Sequence, residues 1–161
     1  MGNSTLLELN ECQLEELTIE HNPDHRKEDG PALPLPQPTV DFNTYVHRTD
    51  QNRFAVLLTI GSEAPEYPVR FSVRIVGFFT VAEPFSDGRV TAERAVNGLT
   101  ILYGMVRSYL LTSAAWFSKP TLLPTVYFTD LVNARAAAAK KQSIASEGSQ
   151  EALASPSAVT A

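Results

Sequence analysis

The stretch Asn97 to Phe128, NGLTILYGMVRSYLLTSAAWFSKPTLLPTVYF, decides how the rest of the chain can be arranged. Ile101, Leu102, Met105, Val106, Tyr109, Leu110 and Ala114 recur at spacings of three and four, which lays a broad apolar stripe along one side of a helix. Arg107 is the only charged residue between Asn97 and Phe117, so the other side is nearly apolar as well. A helix with so little polar surface is buried on more than one side. In a small chain, a sheet can cover one side and a second subunit the other. Trp116-Phe117 closes the helix, Pro120 and Pro124 force an extended linker, and Val126-Tyr127-Phe128 opens a second, shorter helix. Upstream, Thr91 is placed to cap a short helix with Glu93 in its first turn. Gly98 would cost ~1 kcal/mol inside a helix, so a break is expected at Asn97-Gly98.

Four strands are expected before the helices. In the first, Leu7 to Ile19, the apolar parity slips twice: Leu7 and Leu9, then Cys12 and Leu14, then Leu17 and Ile19. A strand keeps one face with period two, so each slip implies a bulge or a change of buried face. Glu15, Glu16 and Glu20 solvate the exposed side and protect an edge. Residues 26–38 are charged and then carry Pro31, Pro34, Pro36 and Pro38, which excludes a central strand and exceeds a hairpin loop. Thr39–His47, Phe54–Ile60 and Val69–Ile75 alternate apolar and polar residues, joined by turns at 49–52 and 61–68. Gly77-Phe78-Phe79 breaks that alternation and reads as a bulge beside exposed aromatics. Two short turns make strands two to four a meander. The long crossover then seats strand one beside strand four or strand two, with the order 1-4-3-2 favoured. The fold class is α+β: a four-stranded antiparallel sheet packed against two C-terminal helices, in subunits that associate.

At 161 residues and 43% hydrophobic, the chain suits one domain, residues 1–142, with an Ala- and Ser-rich tail at 143–161 that lacks groups to bury. A net charge of −5 argues against nucleic acid as a partner. Cys12 is the only cysteine, which fits a reducing cytosol. The start MGNSTLLELNE has neither a basic opening nor a long apolar run, so it does not read as a signal peptide. No segment reaches the ~20 apolar residues of a membrane span. A phosphate loop, a nucleophile elbow and a His/Cys cluster are all absent from the sequence, so neither catalysis nor a cofactor is expected. His21, Asp24 and His25 carry metal-ligating side chains, but Pro23 denies them a shared helical face. Arg107 reads as a structural group at a subunit contact, and Tyr103 and Tyr109 as core.

Asn97-Gly98, Ile101-Leu102-Tyr103, Arg107, Pro124 and Phe128, in that order behind four strands, resemble the SecB protein-export chaperone family over roughly Leu7 to Arg135. The family's aromatic-Pro-Tyr step before the Arg is replaced at Gly104-Met105, and the Asn of its Pro-Val/Ile-Asn-Phe step by Tyr127. The resemblance implies an ATP-independent, cofactor-free cytoplasmic holdase. It implies a homotetramer, a dimer of dimers with the long helices sandwiched between sheets. Unfolded preproteins would lie in apolar grooves, for which the candidates are Leu33, Leu35, Phe42, Tyr45, Phe78, Phe79, Trp116, Phe117, Tyr127 and Phe128. The SecA motor would dock its zinc-bearing tail on acids of strand one, which align with Glu16 and Glu20. Arg70 and Ser72 stand where the family has an apolar residue and an acid on strand four. The alternatives are the same fold devoted to another client, such as an antitoxin, and a small-ligand-binding α+β domain.

Overall fold

The computed structural model describes residues 7–25, 36–85, 89–114, 116 and 123–151. Strands β1 (Leu7–His21), β2 (Thr39–Val46), β3 (Arg53–Ser62) and β4 (Val69–Val81) form one antiparallel sheet in the order β1-β4-β3-β2. Helices α1 (Ala92–Ala114) and α2 (Phe128–Glu151) follow. Strand order is the one that a tight meander and a long crossover favour.

The two parity slips of β1 are bulges, at register shifts between Leu9 and Glu11 and between Leu14 and Glu16. Each inserts one residue, and so returns the next apolar side chain to the same face. Leu9, Cys12, Leu14 and Leu17 thereby stand opposite Phe79, Gly77, Ile75 and Val73 on one side of the sheet. The bulge expected in β4 is absent. β4 keeps unbroken register with β3 from Phe71 to Thr80, and the extra residue lies in β1, opposite Phe78 and Phe79.

α1 crosses the inner face of β3 and β4, burying Leu99, Leu102, Val106 and Leu110 against Val56, Leu58, Ile75 and Phe79. Thr91 caps it, its hydroxyl accepting from the Arg94 N–H at 3.4 Å and its carbonyl from the Ala95 N–H at 3.0 Å. The expected break at Gly98 does not occur, and the reason is the sheet below. A Cβ at Gly98 would stand 3.0 Å from Val56 Cγ2 and 3.4 Å from the Phe79 ring. A Cβ at Gly77 would stand 2.8 Å from both Leu102 Cδ2 and the same ring. Two glycines, one on each element, let the helix sit low on the sheet with the Phe79 ring between them. Gly104 is different: a Cβ there would meet nothing within 4 Å.

Two buried tyrosines fasten the loops beside this contact. Tyr67 O–H donates to the Pro36 carbonyl at 2.6 Å, and Tyr103 O–H donates to that of Pro124. Gln37 Nε2 donates to the Thr125 carbonyl at 3.2 Å, so the end of the crossover and the α1–α2 linker meet. Burial pushes both phenols up to about 12. α2 is not the shorter helix: it runs for 24 residues against 23 in α1. It continues to Glu151, past the expected domain end at residue 142; residues 152–161 lie outside the described residues. Arg135 fixes it to the sheet edge, donating to the Phe42 carbonyl and to Asn43 Oδ1 at 2.9 Å, with its guanidinium 4.8 Å over the Phe42 ring.

Gly98→Val is expected to lower stability by about 1–3 kcal/mol through overpacking, while Gly104→Ala raises it by about 0.5–1 kcal/mol through helix propensity. Urea denaturation of both variants checks the contrast; equal effects would mean that α1 is not seated at Gly98.

Both tyrosines bind their protons more tightly in the folded state than at the ordinary value of 10, since burial disfavours phenolate. Between pH 10 and about 12 the folded chain therefore holds protons that the unfolded chain has released, and stability falls as pH rises. Melting curves from pH 9 to 12 should show this fall, and Tyr67→Phe with Tyr103→Phe should flatten it.

Candidate functional site on the outer sheet face

The face of the sheet turned away from α1 is not uniformly polar. Register places Tyr45, Ala55, Phe78 and Glu11 in one row across the four strands. The next row holds Asn43, Leu57, Val76 and Gln13. Five apolar side chains thus adjoin where the polar-out rule of a one-sided sheet would put polar ones. Tyr45 is 55% exposed and Phe78 37%. A concavity of about 750 Å³ lies over this region, with Tyr45, Ala55 and Phe78 among its lining and Arg48 and Arg53 at the hairpin end.

Towards the other end, the same face is charged and self-paired. Glu16 stands opposite Arg74, and Glu20 opposite Arg70. Arg74 Nε reaches Glu15 at 2.9 Å, and Arg70 Nη2 reaches Asp24 at 2.5 Å. Ser72 faces Thr18. The acids aligned with a docking surface are therefore interleaved with arginines of the adjacent strand.

Of the ten expected groove residues, the outer face brings together Tyr45 and Phe78. Trp116, after α1, and Tyr127, before α2, are exposed at 88% and 74%. Phe79 and Phe128 are corrected to core. Phe79 points inward, stacked on Phe54 at 5.3 Å, because β4 alternates without the bulge that would have turned it out. Phe128 lies edge-on to Tyr103 at 5.5 Å. Phe42 is likewise buried, on the inner side of β2 beneath Arg135. Leu33, Leu35 and Phe117 lie outside the described residues. Sequence reasoning missed Ala55 and Leu57, although their outward parity in β3 was readable. It also missed the uncovered Leu14 and Leu17 of β1 on the other side, whereas the uncovered Ile101 and Leu111 of α1 are the excess apolar surface expected of that helix. Arg107, placed above at a subunit contact, is exposed in the single chain.

The remaining reactive groups do structural work. Asn22 is buried and donates through Nδ2 to the carbonyls of Ala64 and Tyr67, both at 2.9 Å, and His25 Nδ1 lies 3.1 Å from the Pro65 carbonyl. With Asp24 on Arg70, the segment after β1 is a fastener for the β3–β4 turn. Burial pushes the Cys12 thiol up, away from thiolate character. Among the described residues no three His, Cys, Asp or Glu side chains cluster to hold a metal ion. No helix of the described residues is long and apolar enough to cross a membrane.

No protein-family model matches the sequence, and no curated protein matches it. Solved structures do match the fold. A protein of unknown function from Streptococcus agalactiae aligns with a TM-score of 0.58 and 9% identity, over 76% of this chain and 99% of that one. The Mycobacterium tuberculosis SecB-like chaperone Rv1957, in complex with a ChAD peptide from the Rv1956 HigA1 antitoxin, aligns with a TM-score of 0.49 and 14% identity, over 74% and 90%.

Proposed function

We propose that this chain is a holdase, a cytoplasmic chaperone that binds unfolded polypeptides without ATP, cofactor or catalysis. The observation that carries the proposal is the uncovered apolar row on the outer face, with Tyr45 and Phe78 flanking Ala55. Unfolded clients share exposed hydrophobic residues and little else, so their receptor needs apolar area with few fixed polar partners. Binding then follows mass action on the client's unfolded state. The ordered resemblance of Asn97-Gly98, Ile101-Leu102-Tyr103, Arg107, Pro124 and Phe128 to the SecB family supports the same reading.

The working form is proposed to be an oligomer, a homotetramer as in that family. Leu14, Leu17, Ile101 and Leu111 are all uncovered on the α1 side of the sheet. Association through that side covers them and leaves the outer face free.

Within the holdase class, transfer to the SecA motor competes with service to one dedicated client, such as an antitoxin. The pairing of Arg70 with Asp24 and of Arg74 with Glu15 favours the dedicated client. Exposed pairs contribute about 0.2–1 kcal/mol each, so an incoming basic tail gains little from Glu16 and Glu20 when arginines already stand among them.

A reduced, carboxymethylated protein that cannot refold is a suitable client. The chain should bind it in nucleotide-free buffer and suppress the aggregation of a denatured enzyme at near-equal molar ratio. Tyr45→Ser with Phe78→Ser should weaken binding at least about tenfold, given ~1.5–3 kcal/mol for burying one large apolar side chain. Absence of binding by the unaltered chain would refute the holdase; a light-scattering mass of one 17.6 kDa chain would refute the oligomer.

A further inference from the structure

The concavity over Ala55 is unevenly charged. Glu11, on the β1 edge of the sheet, borders it on one side, and Arg48, in the β2–β3 hairpin past the end of β2, borders it on another. Arg53 lies at the same end as Arg48, and Asp50 holds it there through Nε at 3.2 Å. The Asp50 carboxylate is itself turned into the hairpin, where Oδ1 accepts from the Asn52 N–H at 3.0 Å, and it does not line the concavity. Among the described residues Arg48 makes no ion pair. One side of the concavity is therefore anionic, and the hairpin side keeps a net positive charge from Arg48, Arg53 being paired with Asp50, in a chain whose net charge is −5.

Its floor has a shape as well as a charge. Ala55 is the small member of its row, between the rings of Tyr45 and Phe78. The row therefore dips at Ala55, and a flat apolar side chain entering there meets an aromatic ring on each side. In an extended chain, residues two apart share a face and lie about 6.6 Å from one another. A segment laid along β3 therefore brings the residue two positions from one seated over Ala55 over Arg53, itself two residues from Ala55 on the same face, and towards Arg48 in the hairpin.

Resting on the holdase reading, we infer that this concavity is a client anchor for an extended segment bearing an aromatic residue and, two positions away, an Asp or Glu. The aromatic ring enters between Tyr45 and Phe78, and the carboxylate meets Arg48 and Arg53. Glu11, in the Ala55 row across the sheet, repels an acid on its own side and so favours the orientation that carries the acid towards the hairpin. The preference is opposite in sign to the one that the acidic whole chain would impose at long range.

The test uses the full chain and capped heptapeptides, acetyl-Gly-Ser-Phe-Ser-Glu-Gly-Ser-amide and its counterparts with Lys for Glu or Ser for Phe, titrated by NMR. The Phe/Glu peptide should bind about tenfold more tightly than the Phe/Lys peptide, the sum of one attraction gained and one repulsion avoided at a partly exposed rim. Arg48→Glu, an exposed change in a turn, should reverse the order, and Ala55→Leu should weaken both peptides by filling the dip. Equal affinity for the Glu and Lys peptides, or an order unchanged by Arg48→Glu, overturns the anchor. So does failure of the Phe/Glu peptide to bind at all. Binding of the carboxymethylated client is measured in parallel: if it persists while the peptide preference is missing, the anchor alone falls; if it too is missing, the holdase reading falls with it.

Discussion

The packing on the inner side of the sheet depends on the contact between α1 and β4 at Gly77 and Gly98. A side chain on either glycine would meet Phe79, Val56 or Leu102 at 3.0 Å or less. Real interiors are packed like crystals, so an added methyl group there requires the Phe79 ring, Leu102 or Val56 to shift. Everything on the inner side follows from how low the helix sits. Leu99, Leu102 and Val106 reach the floor of the sheet, and Tyr103 comes within reach of the linker carbonyl at Pro124. Because the crossover is fastened in the same place through Tyr67 and Gln37, loops far apart in sequence become one structural unit.

Seating α1 on β3 and β4 also decides what stays uncovered. Leu14 and Leu17 stand on the inner side opposite Ile75 and Val73 yet remain exposed. Among the described residues no helix lies on the outer face, and there Tyr45, Leu57, Val76 and Phe78 cluster around Ala55. One side is a surface to be shared with another subunit and the other a surface to be offered to clients. That division is the physical content of the holdase proposal, and it needs neither a pocket of converging polar groups nor a shifted catalytic pKa.

Much of the fold was legible because periodicity is a direct consequence of burial. The parity slips in β1 located both bulges, since a strand can restore its buried face only by inserting a residue. Loop lengths were enough to favour the strand order. Gly98 was misread because helix propensity is a local quantity, whereas the need for a glycine there comes from Val56 and Phe79, distant in sequence. Phe79 was misread because the bulge opposite it lies in β1 and leaves no trace in the sequence of β4. The candidate site was only partly legible. Tyr45 and Phe78 could be named as apolar residues in outward positions, but their adjacency through Ala55 depends on register across three strands. The pairing of Arg70 and Arg74 with Asp24 and Glu15 depends on register in the same way. Exposure of Leu14 and Leu17 could not be read at all, since it depends on where α1 stops covering the sheet.

Clients are expected to meet the face opposite the helix, and methyl-resolved NMR of the full chain with an unfolded, carboxymethylated client examines this most directly. Perturbation should fall on the methyl groups of Ala55, Leu57 and Val76, and spare those of Val56, Leu58 and Leu102. Perturbation centred on Val56, Leu58 and Leu102, with the outer three unchanged, would contradict it.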